Sequence, residues 1–400
     1  MIKSILFLLI LILSACTTVG PMDSPNIPLS QESVQATATQ PVVSQDPITA
    51  NTPIPTAVPT FTATPGPTLT PAPATYFHFE PGINPLTGLP VENPAILNRR
   101  PVMVKVSNWP REGRPHAGLT DADIVFEYFI GHQMNRFLAI YYGDNAGVIG
   151  PVRSGRLVDA QLANLYQGIL AYGNADPQVD EVLVEVLDDR ALSFNELPCP
   201  AMCGESTHSA TGVFANSAAL TEYAVNSGMD NTMPDLRGMM FQSEVPVGDA
   251  AGSLLHIEYA DFSIMQWRYD AEQSNYHLWM EAQTADGLVM APVTDRNKDQ
   301  AVTFENVVVM YAEYVEYAPS LHDILIQDIR DYQPGLLFRD GRVTYGTWRV
   351  PEPDRPIIFE TPDGESLPFK PGNTWIAIAG LNSQTTQPAG GEWEIYFDLP

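Results

Sequence analysis

The chain has 400 residues and carries 47 acidic against 20 basic side chains, a formal net charge of −27. A surface so acidic repels nucleic acid, because phosphate contacts need clustered lysine and arginine. No catalytic signature names a reaction, and no cofactor or metal is implied.

The chain opens Met1-Ile2-Lys3-Ser4, with one positive charge, and runs from Ile5 to Leu13 without a polar residue. Nine helical residues rise only about 13 Å, too little to span a bilayer but the size of a signal-peptide core. Leu13-Ser14-Ala15-Cys16 follows and matches the bacterial lipobox, in which the cysteine is acylated and the preceding peptide removed. Residues 1–16 therefore read as a lipoprotein signal ending at Cys16, with the mature chain anchored by lipid outside the cytoplasmic membrane. The alternative is an ordinary signal peptide with a chance cysteine. No later stretch approaches eighteen consecutive apolar residues.

Residues 17–75 hold 12 of the 36 prolines and 13 threonines, with Asp23, Glu32 and Asp46 as their only charges. Frequent proline blocks helix and sheet, and few bulky apolar groups are present to form a core. The segment is expected to be a disordered tether. Setting aside its charges and Lys3, residues 76–400 carry 44 acidic and 19 basic groups. About 325 residues exceed the usual span of one core, so two subdomains are expected.

The fold is expected to be α+β: a mixed α/β subdomain at 76–245 and a β-rich one at 246–400. Strands are expected at Val102–Ser107, Ile124–Ile130, Phe137–Tyr142 and Ile169–Tyr172. Arg156–Gln167 places Val158, Leu162, Leu165 and Tyr166 on one helical face. Asp176-Pro177 reads as an N-cap with proline at N1 for a helix to Leu187, and Asn216–Asn226 ends at Gly228. Beyond Pro246, Phe262–Tyr269 with Tyr276–Met280 suggests a hairpin, and Thr303–Tyr317 a long strand. Asp340-Gly341 marks a two-residue turn, and Trp375–Ala379 a closing strand.

Several phrases occur together in order: Asn84-Pro85-Leu86-Thr87-Gly88-Leu89, Ala122-Asp123-Ile124-Val125-Phe126-Glu127, Ile149-Gly150-Pro151-Val152-Arg153-Ser154-Gly155-Arg156 and Pro371-Gly372-Asn373-Thr374-Trp375. In this order they resemble the YerB-like bacterial lipoproteins, a two-part family of uncharacterised function. The resemblance implies architecture and location but no activity. Where that family has Pro-His-Asn and Pro-His-x-Asp, this chain keeps only His208 and only Asp295.

Arg153 and Arg156 flank a strand-to-helix turn, where free backbone N–H groups and two guanidiniums suit an anion. They are expected at the mouth of a pocket, with Arg136 or Glu127 within reach. The alternative is that each pairs with a carboxylate of the chain. Glu127 interrupts an apolar strand, and if Ile130 and Asn135 close the hairpin it faces residue 138, diagonal to Arg136. That reads as a structural Glu127–Arg136 pair or as a general base. His208 is read as a loop histidine or a base for Ser206 or Ser209, and Asp295 as an acid–base candidate. Cys199 and Cys203 suggest a local disulfide, with a free pair as the alternative. His256 and Glu258 alternate like metal ligands but lack a third partner, so a polar sheet face is the reading. Trp267, Trp279, Trp348, Trp375 and Trp393 are assigned to the core rather than to a sugar-stacking platform.

Together these features favour a tethered module that binds an anionic cell-wall polymer or an envelope protein. The rivals are an enzyme acting on a phosphate- or carboxylate-bearing wall glycopolymer and a solute-capture lipoprotein.

Overall fold

Three strands are mainly apolar and buried along their whole length: β1 (Val102–Ser107), β2 (Ile124–Phe129) and β3 (Asn135–Tyr141). Such strands need cover on two sides, and in the computed structural model they have it. The described residues are 73–204, 211–319 and 321–399. Cys16, nearly all of the tether and His208 lie outside them.

One sheet has ten strands, and its strand Arg342–Arg349 also pairs with Ala250–Ala260 of a second sheet, so that the two are joined. Ala191–Ser193 begins the ten-stranded sheet and lies parallel to β4 (Ile169–Tyr172), which is parallel to β1. β3 is antiparallel to β1 and to β2. Then come Thr374–Gly380, parallel to β2, and Asn306–Ala318, parallel in turn to Thr374–Gly380. The antiparallel strands Gln333–Arg339, Arg342–Arg349 and Ile358–Glu360 complete it. Strands from both sides of residue 245 thus share a single sheet. Thr374–Gly380, expected to close the fold, stands near its centre with a parallel neighbour on each side.

The second sheet packs over one face. Its order is Gln384–Ala389, Gly391–Tyr396, Ala250–Ala260, Ser263–Asp270, Asn275–Thr284 and Gly287–Pro292. Trp375 of the first sheet meets Trp267 at 5.1 Å and Phe304 at 5.4 Å between ring centres, so aromatic contacts fill the inter-sheet space. Trp267, Trp348, Trp375 and Trp393 are fully buried. Trp279 is only partly buried, with the Arg268 guanidinium 3.7 Å above its ring.

The first half carries the three α-helices found among the described residues: α1 (Leu157–Leu165), α2 (Pro177–Leu187) and α3 (Ser217–Asn226). Asp176 caps α2 by accepting from the N–H of Gln178, and Asn216 caps α3 by accepting from Ala219. The structure is predominantly β, with the α part of the expected α+β class confined to these helices and short 3-10 turns. Asp340 and Gly341 both take left-handed φ, +50° and +70°, as the tight hairpin turn between Gln333–Arg339 and Arg342–Arg349 requires.

One register differs from expectation and has consequences for the site. The β2–β3 loop closes with the N–H of Ile130 on the carbonyl of Met134, so Glu127 faces Phe137 and Tyr128 faces Arg136. In a strand a one-residue shift moves a side chain to the other face. Glu127 therefore points toward the second sheet and Arg136 toward α1.

Candidate functional site

The parallel strands β1 and β4 end side by side, and ligand sites in such sheets form outside their carboxyl ends. The segment Arg153–Arg156 lies across these ends. The N–H of Arg153 donates to the carbonyl of Lys105 in β1, and its carbonyl accepts from Gly173, just beyond β4. Gly155 donates to the carbonyl of Asn174, and the Ser154 hydroxyl donates to the Asn174 side chain at 2.5 Å. A Cβ at position 155 would come within 2.7 Å of the Leu183 side-chain tip on α2, so a larger residue here would have to displace that side chain.

α1 begins directly after Arg156, its N-cap residue, and helix N-termini favour negative charge. Arg136 reaches the same place from β3 and donates to the carbonyl of Ser154 at 3.0 Å. Arg156 donates to the carbonyl of Gly155 at 2.8 Å. None of Arg136, Arg153 and Arg156 forms an ion pair with a carboxylate among the described residues, and the Nε of each is buried without a hydrogen-bond partner. Arg136 is only 6% exposed. Burial, and then the like charges of Arg156 and Arg153, push its guanidinium well below its usual range. These are three cations packed close enough to repel one another.

Beneath them lies a buried group that the sequence reading missed. Lys105 of β1 donates to Asp159 Oδ1 at 3.1 Å and to the Tyr128 hydroxyl, which itself donates to Asp159. Asp159 Oδ2 accepts the backbone N–H of Arg156 at 2.7 Å. The signal was there: Lys105 breaks an otherwise apolar strand just as Glu127 does.

Glu127 lies on the other face, fully buried. It accepts from Asn135 Nδ2 and from Trp375 Nε1, each at 2.6 Å. Burial pushes its carboxyl up to about 7 against those two donors. The expected Glu127–Arg136 pair is therefore absent, because the register places the two on opposite faces. Asp295 is also buried and accepts backbone N–H groups from Gly118, Thr120 and Asn297 at 3.1, 3.0 and 2.9 Å. That bonding fastens the turn at Leu119–Asp121 and occupies both carboxylate oxygens. His208 lies outside the described residues. Glu127 and Asp295 are thus not brought together with the arginines.

Cys199 and Cys203 are joined by a disulfide. His256 bonds Gln266 and lies 3.6 Å from Glu258, and no group of three metal-ligating side chains occurs among the described residues. Two clefts stand out elsewhere. One of about 580 Å3 is lined by polar groups including Asn84, Asp121, Asp123, Lys298 and Asn373; the other, of about 460 Å3, lies between Tyr76, Arg330 and Glu352. Neither is lined by Arg136, Arg153 or Arg156.

Residues 86–230 match the family model described as "Protein of unknown function (DUF3048) N-terminal domain", and residues 255–376 match its C-terminal domain. The chain belongs to the DUF3048 family. A relative from Bacillus subtilis (strain 168), named "Putative lipoprotein YerB", is 29% identical over 306 residues, which is 74% of this chain and 85% of the relative. The crystal structure of the YerB protein from Bacillus subtilis is similar to this DUF3048 chain with a TM-score of 0.59 at 25% identity, over 74% of this chain and 96% of that one.

Proposed function

We propose that this DUF3048 protein is a lipid-anchored binding module on the extracytoplasmic face of the membrane. Its anionic ligand, a phosphate- or carboxylate-bearing group of an envelope polymer or partner protein, is held at Arg136, Arg153 and Arg156. The anchoring part rests on the Leu13-Ser14-Ala15-Cys16 phrase after a nine-residue apolar run, and on the lipoprotein name of the Bacillus relative. The binding part rests on one observation. In a chain of net charge −27, three guanidiniums converge at the start of a helix with no carboxylate paired to them among the described residues. Guanidiniums are the side chains suited to oxyanions, and the helix start adds favourable field. The enzymatic reading has less support, since Glu127 faces away from the arginines and Asp295 is occupied in fastening a turn.

Each half has its own test. Cys16→Ser should move the protein out of the detergent-extracted membrane fraction, as fractionation and metabolic labelling with a fatty acid would show; continued acylation would sink the anchor. For the site, Arg153→Ala combined with Arg156→Ala should lower affinity for a phosphate-bearing wall fragment by at least about 100-fold, at about 1.5–3 kcal/mol per charged hydrogen bond lost. The melting temperature should stay within a few degrees. Unchanged affinity would make the arginines structural.

A further inference from the structure

The charge of the arginine cluster is controlled from below. Asp159 is the carboxylate whose field acts most strongly on Arg136, and it acts on Arg156 more than any other charge does. Left to itself it would be their counter-ion. Yet Oδ1 is taken by Lys105 and the Tyr128 hydroxyl, and Oδ2 by the backbone N–H of Arg156. The Lys105–Asp159 pair is wholly buried, 0% exposed on both sides, so water does not loosen it. We infer that Lys105 is a positioning residue that holds Asp159 down and away from the guanidiniums, and that the group they accept is a phosphate monoester. This rests on the anion-site reading above and narrows it.

The charges present favour a dianion. With Lys105 protonated, the cluster of three arginines, Lys105 and Asp159 carries a net +3; with Lys105 neutral it carries +2. Burial draws the Lys105 ammonium down to about 7 despite Asp159, so both states occur near neutrality and neither falls short of a dianion. A carboxylate or a phosphodiester brings a single charge, leaving part of a half-buried excess uncompensated. A phosphate monoester brings a charge of about −1.5 to −2 at neutral pH and three strong acceptor oxygens. The Nε of each arginine is buried and without a partner in the chain, so no acceptor of the protein already satisfies these guanidiniums in full. The Tyr317 hydroxyl, also buried and unpartnered and lying within the field of Arg156, is a further donor at the edge.

The experiment is calorimetric titration of the intact protein at constant ionic strength with glycerol 3-phosphate, dimethyl phosphate and lactate. Glycerol 3-phosphate should bind at least about tenfold tighter than the singly charged probes, a difference of about 1.4 kcal/mol; equal affinities overturn the monoester assignment. Lys105→Met should weaken glycerol 3-phosphate binding by about tenfold or more, because the released carboxylate competes for the guanidiniums. Adding Asp159→Asn to that variant should restore the affinity. Wild-type affinity in Lys105→Met, or failure of the second change to restore it, overturns the positioning role. Should Lys105→Met not fold, the comparison passes to Asp159→Asn alone, which should bind as tightly as wild type or tighter; weaker binding overturns the role. Loss of all binding in Lys105→Met together with full binding in Arg153→Ala/Arg156→Ala would instead overturn the anion site itself. Phosphatidylcholine vesicles containing phosphatidic acid separate the sources of the monoester. With the Cys16→Ser protein, which the anchor does not hold to lipid, sedimentation that requires both phosphatidic acid and the pair Arg153 and Arg156 assigns it to a lipid headgroup, and no such sedimentation assigns it to a soluble or polymer-borne phosphate.

Discussion

Trp375→Ala is expected to cost about 3–5 kcal/mol of stability, the usual range for emptying a tryptophan site in a core. Trp375 is fully buried in the middle strand Thr374–Gly380 and packs on Phe137 at 4.9 Å, Trp267 at 5.1 Å and Phe304 at 5.4 Å. Its indole also donates to Glu127, so the change leaves a cavity and strips a buried carboxyl of one donor. Denaturant titration followed by far-UV circular dichroism measures the loss. A shift in midpoint worth less than about 1 kcal/mol would show that the two sheets close over the gap and that the aromatic layer is not what joins them.

The second large effect is pH dependence from Glu127. Its folded-state carboxyl titrates near 7, above the 4.5 of an unperturbed glutamate. Between those values the unfolded chain has released the proton while the folded chain keeps it. The unfolded state then binds fewer protons, so stability falls as pH rises through this window and levels off above it. A shift of this size is worth about 3 kcal/mol, taken at 1.36 kcal/mol per pH unit. Glu127→Gln should remove this fall between pH 4.5 and 7 relative to wild type, leaving the contributions of buried Asp123 and His116, without disturbing the arginine face. Identical pH profiles for wild type and Glu127→Gln across that range would mean the carboxyl ionises normally inside the fold.

Local structure was legible wherever short-range chemistry decides it. β1 and β4 match the expected spans, α2 begins at the capped proline, and the Asp340-Gly341 turn follows from its positive φ requirement. Pairing between distant strands was not legible. Nothing local distinguishes Trp375–Ala379 as a central strand from an edge strand when both are apolar, and a parallel partner leaves no turn to read. The Arg136–Glu127 misreading has the same root. A five-residue loop admits closures one residue apart, and the slip decides which face each charge takes. The placing of Arg153 and Arg156 at a strand-to-helix turn was legible because that order is a local pattern, whereas a pocket beside them was not, since neither cleft is lined by them. Lys105 and Asp159 were missed because they are far apart in sequence and meet only once α1 lies on the sheet. Cys16 and His208 lie outside the described residues.

The central position of Thr374–Gly380 bears on how the chain can be made. β2 hydrogen-bonds to a strand that is synthesised roughly 250 residues later, and β3 on its other side cannot substitute for it. Until the last tenth of the polypeptide is available, β2 presents a long apolar edge with unpaired N–H and carbonyl groups, the kind of surface on which chains aggregate. The first half cannot mature as it emerges, and contacts so remote in sequence form slowly. A growing chain therefore spends its vulnerable period with that edge open.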